Sequence, residues 1–172
     1  MSGKVTLVIG GAASGKSAFA EDLVLKTQRN RIYLATARVQ DDEMAHKIER
    51  HKSLRGEGWT TIETPLSPAR SLERLTADDT ALIDCATMWL MNHLMDESDL
   101  EAARDDLVAG LRACAAECVI VTNELGLGIV PADALSRRFR QQQGELNQTL
   151  AAQADTVYNV IAGLPQLLKG VA

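Results

Sequence analysis

The sequence predicts an α/β protein: a single doubly wound, mostly parallel sheet flanked by helices. Three observations carry that prediction. Short apolar runs rich in β-branched residues recur along the chain, segments of helical periodicity separate them, and the first run ends on two glycines. At 172 residues with 46% hydrophobic content, one domain spanning residues 1–172 has material for a full core. Only 3% of residues are aromatic, so that core is aliphatic.

Val5 to Ile9 is a continuous apolar run entering Gly10-Gly11, the pattern of a buried parallel strand followed by a tight turn. Ile32 to Ala35, Ala81 to Ile83, Val119 to Val121 and Val157 to Ile161 repeat it, and Thr61 to Glu63 is a candidate short strand. Helical periodicity is clearest over Lys16 to Lys26, Asp42 to Leu54, Leu100 to Ala116 and Pro131 to Ala154, with a candidate break in the last at Gly144. Pro65 to Pro68 reads as a turn before another short helix. No repeat, low-complexity tract or linker interrupts the pattern.

Gly10-Gly11-Ala12-Ala13-Ser14-Gly15-Lys16-Ser17 fits G-x-x-x-x-G-K-[ST] between a predicted strand and a predicted helix, the context that gives the motif its meaning. Glycines allow backbone N–H groups to converge on phosphate oxygens, and a helix N-terminus adds positive potential. Lys16 can bridge β- and γ-phosphates, and the Ser17 hydroxyl can ligate Mg²⁺. The competing reading is a glycine-rich turn with a solvated lysine. A chance match in a chain this long has a probability on the order of one per cent, which favours nucleotide binding.

Asp84 ends the run Ala81-Leu82-Ile83, so in a parallel sheet its carboxylate emerges at the same edge as the phosphate loop. It is a candidate Mg²⁺ partner, with a turn or helix-capping aspartate as the alternative. Asn123 and Glu124 follow the Val119 to Val121 run in the same way. Asp84 and Glu124 are both candidates for the general base of a phosphoryl transfer.

His46 and His51 lie five apart, diverging by roughly 140° on a helix, so they do not form a metal pair. His51 shares a stripe with Lys47 and Arg55. Two readings stay open from spacing alone: a solvated basic face, or an imidazole nucleophile between cations that attract phosphate and disfavour its protonation. His93 has no comparable setting.

The net charge of −5 supplies no basic field for a nucleic-acid backbone, and the scarcity of aromatics argues against base-stacking platforms. Cys85, Cys114 and Cys118 form no C-x-x-C pair and leave an odd thiol, which fits a reducing, cytoplasmic setting. No signal-peptide pattern or membrane-length apolar run is expected to direct the chain elsewhere.

Taken together these segments resemble the bifunctional adenosylcobinamide kinase / adenosylcobinamide-phosphate guanylyltransferase family of cobalamin biosynthesis. The resemblance rests on Gly10 to Ser17, Ile48 to Arg55 with Trp59-Thr60 and Glu63, Asp84 to Leu90 and Thr122 to Pro131. Arg138-Phe139-Arg140, Gly144 to Gln148 and Ala162 to Pro165 complete it. It implies phosphorylation of the aminopropanol hydroxyl of adenosylcobinamide by ATP or GTP. Transfer of GMP from GTP to that phosphate, through a guanylylated histidine at His51, then follows. It also implies nucleotide contacts by Ala37, Arg38, Val39, Lys52, Ser53, Leu54, Arg55, Glu63 and Asp84, a RecA-like sheet and a homotrimer. Met88 to Met91 could face the corrinoid or pack a helix.

Two positions depart from the family pattern: Ala13 replaces an expected arginine, and Gln141 replaces an aspartate that often follows Phe-Arg. Neither touches Gly15, Lys16, Ser17 or His51. The rival readings are another small metabolite kinase without a covalent intermediate, and a non-catalytic GTP-responsive module.

Overall fold

The structure is a computed structural model that describes residues 2–38 and 56–171. Its strands are β1 (Val5–Gly10), β2 (Asn30–Ala35), β3 (Trp59–Glu63), β4 (Asp79–Asp84), β5 (Glu117–Asn123), β6 (Thr156–Ile161) and β7 (Leu164–Lys169). The described helices are α1 (Lys16–Lys26), α2 (Pro68–Leu72), α3 (Ala86–Met95), α4 (Leu100–Ala113) and α5 (Ala134–Gln153). The strands form one seven-stranded sheet in the order β3-β2-β4-β5-β1-β6-β7. Every pair is parallel except β6 with β7.

Alternation along the strands divides the core in two. Leu7, Ile32, Leu34, Ala81, Ile83, Cys118 and Ile120 face a cluster that includes Leu72, Trp89, Leu90, Leu107, Leu111, Leu146 and Leu150, from α2 to α5. Val8, Tyr33, Leu82, Val119, Val121 and Val160 face Ala20 and Val24 of α1, with Phe19 and Leu23 at its margin. With both faces covered, strands read as unbroken apolar runs, which is why these were visible in the sequence.

The expected strands and α1 are present, and β3 extends the candidate Thr61 to Glu63 by two residues. Three expectations change. Leu100 to Ala116 stops at Ala113, because Cys114 turns to extended geometry (φ −64°, ψ 130°) and leads into β5. Pro131 to Ala154 starts at Ala134, where the Asp133 carboxylate caps the helix by accepting from the Ser136 N–H. It runs unbroken through Gly144. The edge strand β7 and the helix α3 were not anticipated.

Candidate active site

β1 delivers the chain to the carboxyl edge of the sheet, where residues 11–15 turn before α1 starts at Lys16. The turn needs its glycines. Gly15 takes φ +91° at the helix N-cap, and a Cβ there would lie 3.0 Å from Cα of Gly163. A Cβ on Gly10 would meet the Val160 carbonyl at 2.8 Å. The turn between β6 and β7 buttresses the loop, as the Gly163 N–H donates to the Ser14 carbonyl at 2.7 Å.

No side chain caps α1, so its first-turn N–H groups remain available to an anion. The Ser14 hydroxyl is buried in the loop without a hydrogen-bond partner. Lys16 folds back to donate to the Gly11 carbonyl at 3.1 Å. Burial lowers its pKa below the ordinary lysine value, against the opposing influence of Cys85 and Asp84. A half-buried ammonium and an orphaned hydroxyl in one loop are suited to phosphate oxygens.

β5 separates β1 from β4, and the parallel register brings all three strand ends together: Gly10 pairs with Asn123, and Asp84 with Val121. Asp84 Oδ2 accepts from the Tyr33 hydroxyl at 2.9 Å. The Glu124 N–H donates to the Gly10 carbonyl at 3.1 Å, fastening the β5 exit to the phosphate loop.

Buried polar groups hold these exits in place. Thr36 Oγ1 lies 2.7 Å from both the N–H and the carbonyl of Cys85, donating to one and accepting from the other. Asn92 donates to the Thr36 and Pro65 carbonyls at 2.8 and 2.9 Å. The Asn123 N–H donates to Thr87 Oγ1, and its carbonyl accepts from Asn147 Nδ2 at 3.0 Å. Asn147 Oδ1 in turn accepts from Thr122 and Gln143 at 2.7 and 2.8 Å. Beside them, burial pushes the Cys85 thiol up to about 12, so it stays protonated and is no nucleophile.

A phosphate loop facing an aspartate across an intervening strand is shared by many enzymes, but the family model that matches residues 6–168 is narrower: cobinamide kinase / cobinamide phosphate guanyltransferase. The chain belongs to that family. It is therefore a transferase, and the family's relatives share most of its length. The bifunctional adenosylcobalamin biosynthesis protein CobP of Pseudomonas aeruginosa is 40% identical over 95% of this chain and 96% of its own. CobU of Salmonella typhimurium, also described as a bifunctional adenosylcobalamin biosynthesis protein, is 39% identical over 95% of this chain and 98% of its own.

Solved structures agree on the fold alone. The flagellar accessory protein FlaH of Methanocaldococcus jannaschii superposes with a TM-score of 0.58 at 14% identity, over 98% of this chain and 79% of FlaH. The P4 protein of bacteriophage phi6, solved with ADP, gives 0.51 at 14% identity, over 95% of this chain and 54% of P4. The mostly parallel sheet with a phosphate loop after β1 is thus a P-loop NTPase fold.

Within this family frame, Gly10 to Ser17 and Asp84 meet at one sheet edge. Ala37 and Arg38 leave β2 at the same edge, where the Arg38 guanidinium donates both ways to the Asp96 carboxylate at 2.8 and 2.7 Å. Glu63 ends β3 opposite Ala35 and is exposed. Val39, His51, Lys52, Ser53, Leu54 and Arg55 lie outside the described residues, as does the Asp42 to Leu54 helix. Ala13 is exposed, so the replacement of arginine leaves no hole. Of the Met88 to Met91 stretch, Trp89 and Leu90 are fully in the core, and the Trp89 indole N–H donates to the Leu66 carbonyl at 3.0 Å.

Sequence reasoning missed Tyr33, Thr36, Thr87, Asn92, Gln143, Asn147 and Gly163 as parts of this edge. Their partners are distant in sequence, so local periodicity carries no trace of them; only membership of the segments Asp84 to Leu90, Gly144 to Gln148 and Ala162 to Pro165 marked three of them, Thr87, Asn147 and Gly163. Among the described residues no group of three or more His, Cys, Asp or Glu is placed to hold a metal, and no helix is long and apolar enough to cross a membrane.

Proposed function

We propose that the chain phosphorylates the aminopropanol hydroxyl of adenosylcobinamide with ATP or GTP. It then transfers GMP from GTP to the product, yielding adenosylcobinamide-GDP and pyrophosphate. The observation that carries this reading is the convergence of the phosphate loop, Lys16 and Asp84 at one sheet edge, in a chain matched to the cobinamide kinase family over residues 6–168.

In the kinase step the substrate oxygen attacks the γ-phosphorus as the bond to the β-phosphate oxygen breaks. Lys16 and the N–H groups of residues 11–17 hold the phosphates in line and meet the charge on the leaving diphosphate. Asp84 or Glu124 takes the hydroxyl proton. The Ser17 hydroxyl and Asp84 carboxylate are hard oxygen donors of the kind Mg²⁺ prefers, and so small a donor set suits an ion held mainly by substrate phosphates. Bound there, Mg²⁺ would neutralise charge across the β- and γ-phosphates.

In the transferase step an imidazole nitrogen of His51 attacks the α-phosphorus of GTP, a P–N bond forms, and the bond to pyrophosphate breaks. The phosphate of adenosylcobinamide phosphate then attacks the same phosphorus and releases the imidazole. Ala37, Arg38, Val39, Lys52 to Arg55 and Glu63 are the proposed nucleotide contacts. The assembly implied by the resemblance is a homotrimer, and the three free cysteines support a cytoplasmic setting.

The test uses GTP labelled at the α-phosphate, with Mg²⁺ and without corrinoid. Label should appear on the protein as pyrophosphate is released, be lost in acid, persist in alkali and vanish in His51→Ala. Acid-stable label, or equal label in the variant, overturns the histidine intermediate.

A further inference from the structure

Past Glu124 the chain enters a stretch whose large apolar side chains face outward: Leu127 is 92% exposed, Ile129 96% and Val130 67%. Clustered exposure of this kind marks a contact surface. The stretch is anchored at both ends by α5. Arg140 Nη2 donates to the Gly126 carbonyl at 2.6 Å, and Arg137 Nη1 donates to the Pro131 and Ala132 carbonyls at 3.0 and 2.6 Å.

Between the stretch and α5 lies an open cleft of about 470 Å³. Val130 and Pro131 form one wall, and Gln141, Gly144 and Gln148 the other. Gln141 and Gln148 sit one turn to either side of Gly144 on the same helix face, both exposed. Arg140, which also lines the cleft, keeps its Nη1 buried and without a hydrogen-bond partner.

An apolar ledge beside the amide side chains of Gln141 and Gln148 fits a solute with flat apolar faces and a rim of neutral amides. A corrinoid is such a solute: a macrocycle edged with primary amide arms. Arg137 and Arg140 share the wall with Glu145, so the lining carries charges of both signs, and no aromatic lines the cleft to stack a base. We propose that this cleft seats the corrinoid, its rim amides against Gln141 and Gln148 and its ring face against Val130 and the adjoining Leu127 and Ile129.

Position supports the assignment. Gly126 is three residues beyond Asn123, which pairs with Gly10 at the foot of the phosphate loop, and three residues span at most about 10 Å. The cleft thus opens within reach of the transferred phosphate, with the aminopropanol arm bridging the gap. A cleft of this size takes one edge of the macrocycle, leaving the arm free to extend. Burial of Trp89 and Leu90 removes most of the alternative surface at Met88 to Met91.

The proposal rests on the cobinamide kinase reading, and the experiment separates the two. Gly144 lines the cleft and a Cβ there meets nothing within 4 Å, so Gly144→Phe directs its ring into the cleft. Binding of adenosylcobinamide is measured by equilibrium dialysis, GTP binding by calorimetry and oligomeric state by sedimentation, for the parent, Gly144→Phe and Gln148→Ala. Gly144→Phe should weaken adenosylcobinamide binding by about tenfold or more, and Gln148→Ala by about threefold, with GTP affinity and oligomeric state retained. If the parent binds adenosylcobinamide and both variants bind it equally well, the cleft assignment falls and the kinase reading stands. If Gly144→Phe changes the oligomeric state, the cleft belongs to a second copy and the assignment also falls. A parent that neither binds nor phosphorylates adenosylcobinamide overturns both.

Discussion

The Tyr33 hydroxyl donates a 2.9 Å hydrogen bond to Oδ2 of Asp84, so a residue from the middle of β2 sets the direction of a carboxylate at the end of β4. Tyr33→Phe keeps the packing of the ring against Trp59 and removes that donor. Both reactions should slow by about tenfold, which corresponds to about 1.4 kcal/mol of barrier, with nucleotide KM little changed. Parent kcat values in the variant would mean that Asp84 needs no such orientation.

Lys16→Ala tests whether one nucleotide site serves both chemistries. The ammonium is partly buried in the loop and carries the principal positive charge for phosphate there. Its loss should reduce kinase and guanylyltransferase rates by roughly a hundredfold or more each. Undiminished guanylyl transfer would require a second GTP site.

Asn147→Ala should be costly for stability, because the Asn123 carbonyl, the Thr122 hydroxyl and the Gln143 amide all lose a partner inside the protein. The expected loss is about 3 kcal/mol, or a fall in Tm of roughly 10 °C. Thermal unfolding followed by circular dichroism measures it, and a shift under about 2 °C would contradict the network's weight.

The Cys85 thiol predicts a distinct alkaline signature. Its folded pKa is raised to about 12 by burial, from a usual value of 9.0, so the unfolded chain releases the proton first as pH rises. The stabilising contribution is complete below pH 9 and lost progressively from there towards 12, at up to about 1.4 kcal/mol per pH unit. Cys85→Ala retains both backbone bonds to Thr36 and should lose less stability between pH 9 and 11 than the parent in urea titrations. Parallel curves would show that the thiol does not contribute.

The parts of this fold that could be read in the sequence are those whose physics is local. Four central strands, β1, β2, β4 and β5, are buried on both faces and therefore appear as near-continuous apolar runs, and the phosphate loop needs fixed residues at fixed spacing. β7 left no such trace, because it is an exposed edge strand that pairs on one side only and contains Pro165. α3 was hidden because residues such as Trp89, Leu90, Asn92 and His93 are buried around much of its circumference, which leaves no polar face to reveal a period. Gly144 did not break α5; a single helical glycine costs about 1 kcal/mol, and Leu146, Asn147 and Leu150 anchor the turns beyond it. Asp84 was legible at the site as a polar residue ending an apolar run, whereas Tyr33 and Asn147 were not, since each meets its partner across the fold.

The place of β1 in the sheet governs how the protein can be made. It precedes the other strands of this sheet in synthesis, yet its partners on either side, β5 and β6, come more than a hundred residues later. During translation Val5 to Gly10 therefore waits on the ribosome with both edges unpaired and its apolar side chains uncovered, the state most open to aggregation. The last buttress of the phosphate loop, Gly163, emerges later still. Nucleotide can be held by the finished loop only once β6 and the turn at Gly163 have left the exit tunnel, so nascent chains halted before β6 should neither bind GTP nor be rescued by it.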